Sequence, residues 1–163
     1  MMKQSKLLFI TFISTLVLVA CGGNPDDALP GDTSTDPVAS FIGSWESECY
    51  SEDGASARLY ADFSKVSPTG FSGKITGFAY VGTSCSGPSV KNKDVLTNMS
   101  MAIAGTKSVD GVEATLFSGS SDQGTGKTIL YSAGSTLKVG DDKSAKDAAG
   151  YPSAFYTYTF NRR

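Results

Sequence analysis

Histidine is absent from the 163-residue chain. That removes Ser-His-Asp triads, Cys-His dyads and His-ligated metals. The side chains left that could do chemistry fall into a few groups. Ser135-Thr136-Leu137-Lys138 has the spacing in which a lysine activates a serine nucleophile at a helix start. However, Val139-Gly140 continues a strand pattern, and no S-D-N or K-T-G partner appears. Gly124-Thr125-Gly126-Lys127-Thr128 has the end of a phosphate-binding loop, but Ser121 stands where the motif needs its first glycine. The motif also requires a helix after the loop, and Thr128 to Ser132 reads as strand. Glu46 and Glu48 are carboxylates two apart on one strand face, which directs both to solvent rather than across a cleft. Asp141, Asp142 and Asp147 crowd one loop without the D-x-D-x-D-G spacing of a calcium loop; Lys143 and Lys146 are near enough to neutralise them. No catalytic residue, metal site or cofactor is expected, and the protein is read as a non-enzyme.

The cysteines carry a clearer signal. Lys3 and Lys6 precede an apolar run from Leu7 to Val19. Thirteen residues are too few to cross a bilayer, which takes about 20, but they suit the core of a secretory signal peptide. Leu18-Val19-Ala20-Cys21 then resembles the lipobox of bacterial lipoproteins. The resemblance implies removal of residues 1–20, diacylation of the Cys21 thiol and acylation of the new amino group. It further implies anchoring in the bacterial cell envelope, at the outer membrane because no aspartate follows the cysteine. With Cys21 lipidated, Cys49 and Cys85 remain. Two cysteines in an exported chain read as one disulfide.

Residues 22–39 hold three prolines, three glycines and four aspartates with no aromatic residue. Such a stretch cannot bury a core and reads as a disordered linker joining Cys21 to the domain. Fully extended it could reach roughly 60 Å at about 3.3 Å per residue. The domain is expected over 40–163. It carries 12 acidic and 12 basic residues. A neutral domain without a basic stripe argues against nucleic acid as a partner.

Within the domain, apolar residues alternate with polar ones at period two. Trp45 lies within the first such run, from Phe41 to Cys49. Further runs are Ala57 to Phe63, Phe71 to Ala79, Val95 to Ile103 and Val112 to Phe117. Thr128 to Ser132, Thr136 to Val139 and Phe155 to Asn161 complete about eight strands, with one weak helical turn expected at Lys143 to Ala149. Turn residues separate the runs. Asp110-Gly111 is the strongest hairpin signal, since a type I′ turn needs positive φ at both central positions. The expected fold is all-β, a single antiparallel up-and-down barrel, with a β-sandwich as the alternative. Gly73, Gly77, Ala57 and Ala61 suggest room inside; Phe63, Phe71 and Met101 suggest filling.

Gly43-Ser44-Trp45 and Cys49 at the opening of the first strand resemble small exported lipocalin-like (calycin-type) proteins. In that family the tryptophan of a Gly-x-Trp motif closes the barrel floor, and a basic residue of the last strand stacks on it. The resemblance gives Trp45 the closing role and Arg162 or Arg163 the stacking role. It implies a small apolar ligand or a protein partner for the barrel. A filled, ligand-free barrel of structural, interaction or inhibitor type is the other reading.

Lipidation is directly testable. Cys21→Ser should abolish metabolic labelling by a fatty acid and leave a precursor that retains its signal; equal label in both proteins would contradict the lipobox reading.

Overall fold

The computed structural model describes residues 36–52 and 54–163, without the side chains of residues 52 and 90–93. The expected signal peptide, Cys21 and the expected linker as far as residue 35 lie outside the described residues.

The described chain forms β1 (Gly43–Ser47), β2 (Tyr50–Glu52), β3 (Ala55–Ser67), β4 (Gly70–Val81) and β5 (Ser89–Val109). It continues through β6 (Val112–Ser121), β7 (Gly124–Ala133), β8 (Thr136–Val139) and β9 (Phe160–Arg162). All pairings between these strands are antiparallel. The order β1-β9-β8-β7-β6-β5-β4-β3 is closed by β1 pairing with β3. Eight strands thus form a barrel, not a sandwich. The ninth, β2, runs on along the same edge of β3 after a break at Glu48-Cys49. Asp110 and Gly111 both have positive φ, 50° and 77°, and turn β5 into β6. No α-helix occurs among the described residues, and Lys143 to Ala149 forms turns instead of a helical turn.

Alternation directs every second side chain inward. Trp45, Ala61, Phe63, Phe71, Met99, Met101, Phe117, Leu130, Leu137 and Phe160 form one buried cluster. Phe71 joins Phe63 and Phe117 at ring separations of 4.7 and 5.1 Å. Phe41 meets Phe117 edge-on at 5.2 Å. The space left by glycines is taken up from across the wall: a Cβ on Gly73 would lie 2.6 Å from the Phe63 ring. The glycine therefore admits a neighbouring aromatic instead of opening a cavity.

Three local features depart from the sequence expectation. Val38 is fully buried in the core cluster. A turn from Asp36 to Phe41, closed by Ala39 and Phe41 amides on the Asp36 and Val38 carbonyls, carries it there, so the folded unit starts before residue 40. Second, β5 is bulged. Gly73 faces Met99 while Ile75 faces Leu96, and Asn98 takes φ +51°. The extra residue reverses the alternation, which turns Leu96 onto the core and leaves Val95 exposed. Third, Val112, Ala114 and Leu116 lie on the outer side of the wall, opposite to Phe117. The 20 residues between β8 and β9 fold over them as a strap, burying Ala114 and Ile129 beneath Tyr151 and Phe155. Phe155 to Asn161 is accordingly strand only from Phe160. Lys107 anchors the strap by a 2.7 Å pair with Asp147, and Lys127 donates to the Ala149 carbonyl.

Cys49 and Cys85 are joined, with Cα atoms 5.8 Å apart. The bridge fastens the β4–β5 connection to the break between β1 and β2, where the sheet runs past the closed part of the barrel. Closing a loop of 36 residues corresponds to about 4 kcal/mol on the chain-entropy account. The double variant Cys49→Ala/Cys85→Ala should lose about 2–4 kcal/mol in urea unfolding; unchanged stability would show that the bridge constrains nothing.

Candidate functional site

Three residues, Gly43, Trp45 and Arg162, meet at the seam where β1 and β9 pair. Trp45 on β1 and Arg162 on β9 are cross-strand partners, so both point to the same side. The Arg162 guanidinium lies over the indole, 4.2 Å from the ring centroid. Its Nη1 donates to the Ile42 carbonyl at 2.6 Å and its Nη2 to the Ser40 carbonyl at 2.9 Å. The indole Nε1 donates to the Phe41 carbonyl at 2.8 Å, leaving no polar atom of the buried ring unpaired. Gly43 has φ +125°, and a Cβ there would lie 2.8 Å from Arg162 Nη1. The Gly-x-Trp spacing therefore has a local cause: the glycine makes way for the arginine that covers the tryptophan.

Of the two basic residues proposed for the stacking role, Arg162 fills it and Arg163 does not. Successive strand residues point to opposite faces, which sends Arg163 to the outer wall. Its guanidinium lies 4.9 Å from the Tyr60 ring centroid and 3.6 Å from Glu46. Glu46 also pairs with Arg58. Glu48 lies beyond the end of β1 and accepts from the Thr159 amide at 3.0 Å, so the two glutamates do not act as a pair.

Around Tyr60 the outer wall forms a groove of about 470 Å³ across β3, β4 and the start of β5. Tyr60 meets Phe78 edge-on at 5.1 Å, and Tyr80 lies two residues further along β4. Thr76 donates to Asp94 at 3.1 Å, and Lys74 stands 4.0 Å from Asp62. Burial, with Glu46 and Tyr80 beside it, pushes the Tyr60 phenol above its ordinary value. A second concavity adjoins the groove at Glu46, Arg58 and Arg163. Sequence reading did not single out Tyr60, Phe78 or Tyr80. Their signal is an aromatic residue on the polar face of an alternating strand, as in Arg58-Leu59-Tyr60-Ala61-Asp62.

Beyond the end of β1, Tyr158 is stacked between Tyr50 and Tyr156. The ring separations are 5.4 and 4.9 Å. Burial pushes the Tyr158 phenol up to about 12, with Tyr50 and the Asp142 and Asp141 carboxylates adding to it. Tyr156 donates to Asp142 at 2.5 Å.

The other motifs are absorbed by the fold. Gly124 to Thr128 lies in β7 and pairs with β6 in an antiparallel hairpin. Ser135 sits in the turn before β8, and Lys138 lies on that strand with its ammonium over Phe155. Asp141 caps the Lys143 amide, while Asp147 takes Lys107 as its cation and not Lys143 or Lys146. Lys146 donates to the Asp142 carbonyl.

No protein family, curated protein or solved structure matches this chain.

The two neighbouring arginines should separate cleanly in stability. Arg162→Ala removes a cation over a buried indole, worth about 0.5–2 kcal/mol, together with two charge-assisted hydrogen bonds. A loss of about 2–4 kcal/mol is expected. Arg163→Ala removes an exposed pairing and should cost under about 1 kcal/mol. Equal losses in denaturant unfolding would contradict the closing role of Arg162.

Proposed function

We propose that this is a non-enzymatic bacterial envelope lipoprotein, anchored through Cys21 at the outer membrane, whose barrel is a filled scaffold that recognises its partner on the outer wall. The observation that carries the reading is the occupied interior. Trp45, Phe63, Phe71, Phe117, Met99, Met101, Leu137 and Phe160 meet within it, and the positions of Ala61 and Gly73 are closed in by larger neighbours. A lipocalin-like carrier needs inward residues small enough to leave a ligand chamber. This interior has the opposite character, which favours the interaction type over the carrier of a small apolar molecule.

The groove at Tyr60 and the concavity at Glu46 both open outward, which offers the wall as a surface for recognition. The lack of histidine and the incorporation of Ser135 and Lys138 into a turn and a strand support a binding role without bond-making chemistry. The linker then serves to hold this wall clear of the membrane surface.

Native mass spectrometry of the full chain, purified in detergent from its host, tests the reading. The expected spectrum shows the polypeptide with its lipid anchor and no retained small molecule. A stoichiometric apolar compound that survives desolvation and dissociates on unfolding would overturn the filled-scaffold reading in favour of a carrier.

A further inference from the structure

We propose that the groove on the outer wall of β3 and β4 is a carbohydrate site that takes an extended, uncharged glycan chain. The proposal rests on the reading that recognition occurs on the wall and names the chemistry of the ligand.

A sugar ring offers an apolar face of C–H groups and a rim of hydroxyls that both donate and accept. Its site therefore needs half-exposed aromatic rings beside polar groups of both kinds. Tyr60, Phe78 and Tyr80 are all half-buried on this outer face. They stand on neighbouring strands in register, with Tyr60 opposite Thr76, Arg58 opposite Phe78 and Ser56 opposite Tyr80. Lys74, Thr76, Phe78 and Tyr80 are every second residue of β4. The row is about 20 Å long at ~3.3 Å per residue, which accommodates a chain and not just a single ring.

The exposed polar groups are of the required kinds. Asp62 accepts, already taking the Ser44 hydroxyl at 2.7 Å, Lys74 and Arg163 donate, and the tyrosine hydroxyls do both, whereas the Thr76 hydroxyl is buried and committed to Asp94. Lys74 and Arg163 are held by long pairings of 4.0 and 3.6 Å, Arg163 also lying over the Tyr60 ring, with side chains 59% and 55% exposed. Each can swing to a hydroxyl without leaving a buried charge unpaired.

Charge decides between glycan classes and other occupants. Asp62 and Glu46 offset Lys74 and Arg163, and the domain from residue 40 is neutral. A polyanion needs a run of cations along its backbone, and among the described side chains lining the groove only Lys74 and Arg163 are cationic. An apolar helix needs a continuous hydrophobic surface. Of the groove residues, Phe78 alone is wholly apolar.

The test uses the full chain in detergent on an array of neutral hexose and N-acetylhexosamine oligosaccharides, with heparin as the polyanionic control. At least one neutral oligosaccharide of four or more units should bind and heparin should not. In titration calorimetry with that oligosaccharide, Phe78→Ala and Tyr80→Ala should each weaken binding tenfold or more. Tyr80→Phe, which keeps the ring, should weaken it less than threefold. Glu113→Ala, exposed on β6 beside the Asp110-Gly111 turn, should leave it unchanged. Unchanged melting temperatures separate lost contacts from lost folding. If Phe78→Ala does not fold, Tyr80→Ala with Lys74→Ala carries the test. No neutral glycan bound, heparin bound best, or undiminished binding by the groove variants would overturn the proposal. None of these results bears on the filled interior, which the mass measurement decides separately.

Discussion

Everything in this barrel depends on closing a cylinder through its weakest side. β3, β4 and β5 are 13, 12 and 21 residues long, whereas β1, β8 and β9 have five, four and three. Two strands this short exchange few ladder hydrogen bonds, and an unclosed edge is open to pairing with other chains. Arg162 strengthens that seam. It lies over Trp45 and ties β9 to the Ser40 and Ile42 carbonyls ahead of β1, so the seam is bonded through side chains where the ladder is short. The constraint reaches back to Gly43, where a side chain would collide with the guanidinium and the backbone is left-handed.

Closure at that end sets the rest. With Val38 and Phe41 brought under the sheet by the turn at Asp36 to Phe41, the floor is sealed and the aromatic cluster above it excludes water. The long strands then extend beyond the closed section, where the Cys49–Cys85 bridge holds their connection. The strap from Gly140 to Thr159 covers an apolar patch on the outside of β6 and β7. The outer face of β3 and β4, with its mixture of rings and charges, lies outside the strap. A rigid, filled barrel presents that face without having to reorganise, which limits the entropy lost on binding.

Much of this was legible in the residues. Period-two patterning located the strands, Asp110-Gly111 located a hairpin, and the Gly-x-Trp spacing pointed to the closing tryptophan. The parts that were not legible have physical reasons. A bulge such as that at Asn98 inserts one residue without a marked change of composition, and it reverses the alternation until the next irregularity. An apolar alternation shows that a face is buried but not by what, so Val112, Ala114 and Leu116 could not be distinguished from core. Small residues such as Gly73 signal either a cavity or a large neighbour, and only the opposing strand tells which. Val38 sits in a proline- and aspartate-rich stretch whose average hides one buried side chain. The outer groove draws on three strands, and its residues come together only through register.

The central claim is that Trp45 is sealed in the barrel floor under Arg162, and its fluorescence tests this most directly. Trp45 is the single tryptophan of the chain, so the emission has no other indole source. The account predicts blue-shifted emission and almost no quenching by iodide in the native protein, with both changing together on unfolding. Emission at the position of a solvated indole, freely quenched by iodide while the protein remains folded, would contradict it.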